Sequence, residues 1–229
     1  MTDIQPWLRG IEWIFFDLGE TLIDESQAIN ESIRQFISAA GELDFDFSAE
    51  QVRLAIREAY RQFADFPMRS VMEQWVPIAE QRTQIRQGMK YRKDLERPFA
   101  AAIPLLEELS SRYRLGIIAN QGPGTQERIG KYGFSPYFDV CCASAEAGLA
   151  KPDERFFLLA LEQAGCQPEQ AVMIGDRIDN DVIPAKRLGM KAILVRQGDA
   201  CEQPLPEGAD RPDAVVDRID ELLPLLLGN

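Results

Sequence analysis

The stretch Ile11-Glu12-Trp13-Ile14-Phe15-Phe16-Asp17-Leu18-Gly19-Glu20-Thr21 decides the fold class. Its first six residues are a short, mainly apolar run that reads as a buried strand. Asp17-Leu18-Gly19-Glu20-Thr21 is strong turn chemistry. The same pattern of an apolar run followed by an ionisable residue returns further along. Lys151 lies in Gly148-Leu149-Ala150-Lys151-Pro152-Asp153, after the run around Val140, and Asp176 and Asp181 follow Val172-Met173-Ile174-Gly175. In an α/β protein the ends of parallel strands converge on one crevice, so residues distant in sequence meet there. Three carboxylates and one ammonium in such a crevice make a site for a metal ion and a phosphate.

Outward from the first strand the pattern changes. From 26 to about 91 there is little Gly or Pro. Apolar residues recur at helical spacing: Ile29, Ile33, Phe36, Ile37; then Val52, Leu54, Ile56, Tyr60, Phe63; then Val71, Trp75, Ile78, Ile85. This predicts three or four helices with no strand between them. Ser48 and Gln51 have the spacing of a capping box at the start of the second helix.

Past Arg97-Pro98 helices and strands alternate again. Helices are predicted over 101–112, 125–132, 153–164, 179–188 and 219–227, and strands over 115–119, 138–143, 171–174, 192–195 and 213–216. Gln203 to Gly208 reads as a surface loop. The alternation predicts a mostly parallel sheet with helices on both faces. The expected organisation is an α/β core domain from 1–23 and 97–229 with a helical domain, 24–96, inserted. Hinges are expected near 23–25 and 94–98.

Composition narrows the function. The 229 residues carry a net charge of −12, which disfavours nucleic acid or an anionic membrane as partner. No apolar run approaches the roughly 20 residues of a membrane span, and the first residues do not read as a signal peptide. The four cysteines, Cys141, Cys142, Cys166 and Cys201, have neither zinc spacing nor a disulfide framework. They read as reduced thiols of a cytoplasmic protein. There is no histidine, so Ser-His-Asp and Cys-His catalysis are excluded.

Four motifs, in order, resemble those of the haloacid dehalogenase-like hydrolases, and the resemblance covers essentially the whole chain. That family's first motif is an apolar run followed by D-x-D-x-T; here it is Ile14-Phe15-Phe16-Asp17-Leu18-Gly19-Glu20-Thr21. The second is an apolar strand ending in Ser or Thr, often followed by Asn; here it is Gly116-Ile117-Ile118-Ala119-Asn120. The third is Lys151-Pro152-Asp153, and the fourth runs from Gly175-Asp176 to Asp181. The resemblance implies a Rossmann-like doubly wound parallel sheet with an inserted helical cap. It implies a hydrolase, and specifically a Mg2+-dependent phosphohydrolase of a small phosphorylated metabolite. Asp17 would be the nucleophile, forming an aspartyl-phosphate. Mg2+ would be held by Asp17, the backbone carbonyl of Gly19 and Asp176, with Asp181 in support. Lys151 would neutralise the nucleophile and the phosphate oxygens.

Two positions depart from the family pattern. Gly19 replaces the acid that protonates the leaving oxygen, help worth typically ~10²–10⁴ in rate. Glu20 is adjacent, but its side chain is expected to point elsewhere. Ala119 replaces a hydroxyl that would bond the phosphate; Asn120 or Gln121 are the candidate amide donors in its place. Two other readings therefore stay open. One is a hydrolase of another bond, dehalogenase- or phosphonatase-like. The other is a non-catalytic binding protein with a degenerate site. The full set of Asp176 and Asp181 argues for metal and against dehalogenation.

Overall fold

Strand side chains alternate between faces, and in the first strand both faces are covered. Ile14 and Phe16 pack with Leu115, Ile117, Val172 and Ile174 on one side. Trp13 and Phe15 pack with Ile118, Met173, Phe156 and Phe157 on the other. A strand buried on both faces needs a continuous apolar run, which is what Trp13–Phe16 supplies.

The structure, a computed structural model, describes residues 5–228. After β1 (Trp13–Phe16) come β2 (Ile23–Asp24), α1 (Ser26–Gly41), α2 (Ala49–Arg61), α3 (Pro67–Trp75), α4 (Ala79–Gln87) and β3 (Arg97–Pro98). Then follow α5 (Ala102–Ser110), β4 (Arg114–Ala119), α6 (Thr125–Lys131), β5 (Val140–Ala143), α7 (Ser144–Ala147) and α8 (Glu154–Ala164). The chain closes with β6 (Ala171–Gly175), α9 (Ile183–Leu188), β7 (Lys191–Val195), β8 (Ala214–Val216) and α10 (Leu222–Leu227).

Six strands form one parallel sheet in the order β5-β4-β1-β6-β7-β8. The chain builds outward from β1 through β4 to β5, then returns to build β6, β7 and β8 on the other side. The reversal of direction falls at β1, so the crevice at its carboxyl end, between β4 and β6, is the expected place for a ligand. The fold is the doubly wound α/β architecture expected from the alternation. Its element ends differ locally. The helix expected over 179–188 starts as a wide turn, Ile178–Val182, in which the Ile183 N–H bonds the Ile178 carbonyl; α9 follows with Pro184 in its first turn. The helix expected over 219–227 opens with the tight turn Ile219–Glu221.

The chain divides into two units. One holds the residues up to Ile23, Arg97–Gln197 and the chain from Leu205 on. The other holds Asp24–Glu96, the four helices α1 to α4, around Ile33, Phe36, Val52, Ile56, Val71 and Ile85. The capping box forms as expected: Ser48 Oγ accepts from Gln51 N, and Gln51 Oε1 accepts from Ser48 N. β2 and β3 pair in a separate two-stranded sheet where the chain leaves and re-enters.

One segment differs from the expected organisation. Gly198–Pro204 belongs to the helical unit, although the sequence reading put it in the α/β part and began a surface loop at Gln203. The reason is ionic. Asp199 is buried and accepts both Arg53 Nη1, at 3.0 Å to each oxygen, and Arg57 Nε at 3.0 Å. Gln203 Nε2 donates to the Tyr60 carbonyl at 3.0 Å. No helix among the described residues is long and apolar enough to cross a membrane, and the four cysteines are free thiols.

Candidate active site

Phe16 and Ile174 are register partners on adjacent parallel strands. Asp17, just past β1, and Asp176, just past β6, therefore leave the sheet at the same edge. Asp17 N donates to the Ile174 carbonyl at 2.9 Å, which fixes the start of the turn. Asp181 comes back from the wide turn after β6, and its Oδ2 accepts the Arg177 N–H at 3.0 Å. Asp17, Asp176 and Asp181 each present an oxygen within 4.8 Å of the others, and all three are buried. Gly175 makes room for this: a Cβ there would lie 2.3 Å from Asp181 Cγ and Oδ2. Asp181 thus turns into the cluster rather than capping α9. Asp179, two residues earlier, pairs instead with Arg177.

Lys151 closes the cluster. Its Nζ lies 2.6 Å from Asp17 Oδ1 and 2.5 Å from Asp181 Oδ1, and its side chain is 3% exposed. The lysine backbone is held by a side chain from the end of β4. Asn120 Nδ2 donates to the Lys151 carbonyl at 2.8 Å, and Lys151 N donates to Asn120 Oδ1 at 2.8 Å. The Asn120 amide thus holds the Lys151 main chain through its oxygen and one Nδ2 proton, with the second Nδ2 proton in hand for the donor role expected from the sequence. Gln121 is tied to the neighbouring helices α7 and α6. Its N–H donates to Ser144 Oγ at 3.0 Å, Ser144 Oγ donates to its carbonyl, and its Oε1 accepts from Arg128 Nη2.

Gly19 sits on the turn that follows Asp17. Glu20 N donates to the Ile23 carbonyl at 2.7 Å, and Leu22 N and Ile23 N both donate to the Leu18 carbonyl. Glu20 adopts a left-handed φ of +51°. Gln197 Nε2 reaches the Glu20 carbonyl at 3.0 Å from the end of β7.

The electrostatics follow from burying three acids with one base. Burial, then the Asp17 and Asp181 charges, push the Asp176 carboxyl well above the ordinary carboxylate range. Glu20 adds to the negative charge Asp176 feels. Burial likewise lifts Asp181 to about 6, against the pull of Lys151. Burial works to lower the Lys151 pKa, but the Asp17 and Asp181 charges and their hydrogen bonds outweigh it and push it up to about 12. Lys151 is a fixed cation, and the cluster carries excess negative charge that a cation would relieve.

Residues 11–189 match the model of the haloacid dehalogenase-like hydrolases. The chain belongs to this family. It is 28% identical over 225 residues to the glyceraldehyde 3-phosphate phosphatase of Methanocaldococcus jannaschii, covering 94% of this chain and 97% of the relative. It is 31% identical over 190 residues to the glyceraldehyde 3-phosphate phosphatase of Methanothermobacter thermautotrophicus, covering 80% and 84%. Among solved structures, a haloacid dehalogenase-like hydrolase of Streptococcus pneumoniae superposes with a TM-score of 0.68 at 25% identity, over 93% of this chain and 97% of the other. In this haloacid dehalogenase-like hydrolase the ionisable residues singled out on the first, third and fourth motifs, Asp17, Lys151, Asp176 and Asp181, meet in one buried cluster. The hold of Asn120 on Lys151 and of Gln197 on Glu20 had no counterpart in the sequence reading. An Asn after an apolar strand looks like any turn residue, and nothing near Gln197 marks it.

Proposed function

We propose that this chain is a Mg2+-dependent phosphohydrolase acting on a small phosphorylated metabolite, with Asp17 as nucleophile. The observation that carries this reading is the juxtaposition of three buried carboxylates with one buried ammonium that bridges two of them. The donor set fits Mg2+, which takes hard oxygen ligands and keeps several waters. Asp17, Asp176 and the carbonyl of Gly19 would hold the ion, with Asp181 in support. Bound there, the ion would neutralise charge on the transferring phosphoryl group.

A carboxylate oxygen of Asp17 forms a bond to phosphorus as the bond from phosphorus to the leaving oxygen breaks. Water then hydrolyses the aspartyl-phosphate, releasing phosphate and restoring Asp17. Lys151 holds Asp17 in place through Oδ1 and offers positive charge to the phosphoryl oxygens. Asn120 supports this by fixing the lysine main chain. Asp24–Glu96 is the unit to which substrate choice belongs on this reading, as the cap implied by its insertion after the first motif.

The named relatives make glyceraldehyde 3-phosphate the first natural substrate to assay. The deciding experiment is hydrolysis of nitrophenyl phosphate with Mg2+ or with chelator, by wild type and by Asp17→Asn. Activity that needs both the metal and Asp17 supports the reading. Full activity in Asp17→Asn removes aspartyl-phosphate chemistry at this residue. Chloride released from 2-chloropropionate without metal would instead favour a dehalogenase.

A further inference from the structure

The turn that carries Asp17 and Gly19 is not held by its own hydrogen bonds alone. Glu20, next to Gly19, has a φ of +51°. This region is sparsely populated for a residue with a side chain and persists where the surroundings enforce it. Part of that enforcement comes from the other end of the sequence. Gln197 Nε2 donates to the Glu20 carbonyl at 3.0 Å and lies 3.5 Å from the Thr21 carbonyl. Its Oε1 accepts the Ile219 N–H at 3.2 Å. One amide therefore ties the first-motif turn to the connection between β8 and α10. Gln197 is also the last residue before the chain enters Gly198–Pro204, the segment fastened two residues later by Asp199 to Arg53 and Arg57. Its backbone follows directly on β7, where its N–H donates to the Val195 carbonyl at 2.9 Å.

We infer that Gln197 is a positioning residue for the Asp17–Thr21 turn: it holds the Glu20–Thr21 peptide, and through the φ and ψ of Glu20 it sets the preceding peptide and its Gly19 carbonyl. This deepens the phosphohydrolase reading and rests on it for its effect on Mg2+. The hold on the turn itself does not depend on that reading. A side chain that orients a ligand from behind typically changes metal affinity 10–100-fold when removed.

Two variants separate the contacts. Gln197→Glu keeps an acceptor for Ile219 N but sets a carboxylate oxygen against the Glu20 carbonyl. Gln197→Ala removes both bonds. In the metal-free full-length protein, hydrogen exchange followed by mass spectrometry is expected to show faster exchange at the Glu20, Leu22 and Ile23 amides in both variants, with α2 and β5 unchanged. Mg2+ binding by calorimetry is expected to weaken at least about tenfold. The kcat for nitrophenyl phosphate should fall while its KM stays near wild type.

Unchanged exchange in the turn overturns the inference. So does a lowered melting temperature with wild-type Mg2+ affinity and wild-type kcat, because that is the signature of packing alone. If wild type neither binds Mg2+ nor cleaves phosphate esters, the phosphohydrolase reading fails. The exchange measurement still decides whether Gln197 holds the turn.

Discussion

Gly19 removes the side chain that, in the family pattern, hands a proton to the departing oxygen, and nothing within the buried cluster replaces it directly. Lys151 is engaged by Asp17 and Asp181 and is held protonated by them. The leaving oxygen must then depart unprotonated or take its proton from water. Acyl and aryl phosphates tolerate this far better than alkyl phosphates. We expect ready turnover of nitrophenyl phosphate and weak turnover of sugar phosphates, with Gly19→Asp narrowing the gap by up to the ~10²–10⁴ of general acid catalysis. Parallel kcat/KM measurements on the two ester classes check this. Fast cleavage of glyceraldehyde 3-phosphate by wild type would point to another acid, and loss of that rate in Glu20→Gln would name it. Asn120→Ala should cost about 1 kcal/mol for each of two lost hydrogen bonds and lower kcat, because the Lys151 main chain loses its hold; thermal melting and steady-state kinetics read the two effects. The acids were legible in the sequence because each follows an apolar run. The hold of Asn120 on Lys151 and of Gln197 on Glu20 was not, because the partners lie 31 and 177 residues away and are joined only by folding.

Among the elements, β6 and β4 each depend on one glycine, for different reasons. A Cβ at Gly175 would meet the Asp181 carboxylate at 2.3 Å, whereas a Cβ at Gly116 would meet the Phe15 ring at 2.5 Å. Both alanine variants overfill a packed interior, at about 1–3 kcal/mol. Only Gly175→Ala drives Asp181 away from Lys151. We therefore expect both to lower the melting temperature, with Mg2+ affinity lost in Gly175→Ala and kept in Gly116→Ala. Equal loss of Mg2+ binding in both would mean that the sheet, not the carboxylate, transmits the damage. The strands were readable because a doubly covered strand must be apolar throughout, and α1 to α4 because a one-sided helix must repeat near 3.6 residues. The wide turn Ile178–Val182 was not readable. Its geometry goes with an inward-facing Asp181, and a sequence records the aspartate but not the direction it faces.

For the molecule as a whole, stability should depend on pH and Mg2+ together. In the metal-free protein Asp181 titrates near about 6 and Asp176 well above the ordinary carboxylate range, both first through burial. A raised carboxyl pKa means that the folded chain takes up protons before the unfolded chain does. These two groups therefore make the metal-free protein more stable as pH falls through about 6 toward the ordinary range near 4. On the proposed reading protons and Mg2+ would compete for the same oxygens. The rise in melting temperature on adding Mg2+ should be large at about pH 7.5 and small at about pH 5, as calorimetric scans with Mg2+ and with chelator would show. An equal rise at both would remove the buried carboxylates as the ligands. At this scale the segment Gly198–Pro204 has a practical meaning. It turns what looks like a single insertion into a module with four cut points rather than two. Anyone exchanging the helical unit with that of another hydrolase, to transplant a substrate preference, must move residues 198–204 along with 24–96. A graft of 24–96 alone strands the host's Asp199, 4% exposed in its side chain, against a foreign helix with no arginine pair to meet it, and a buried carboxylate without its partner is among the costliest defects a chimera can carry.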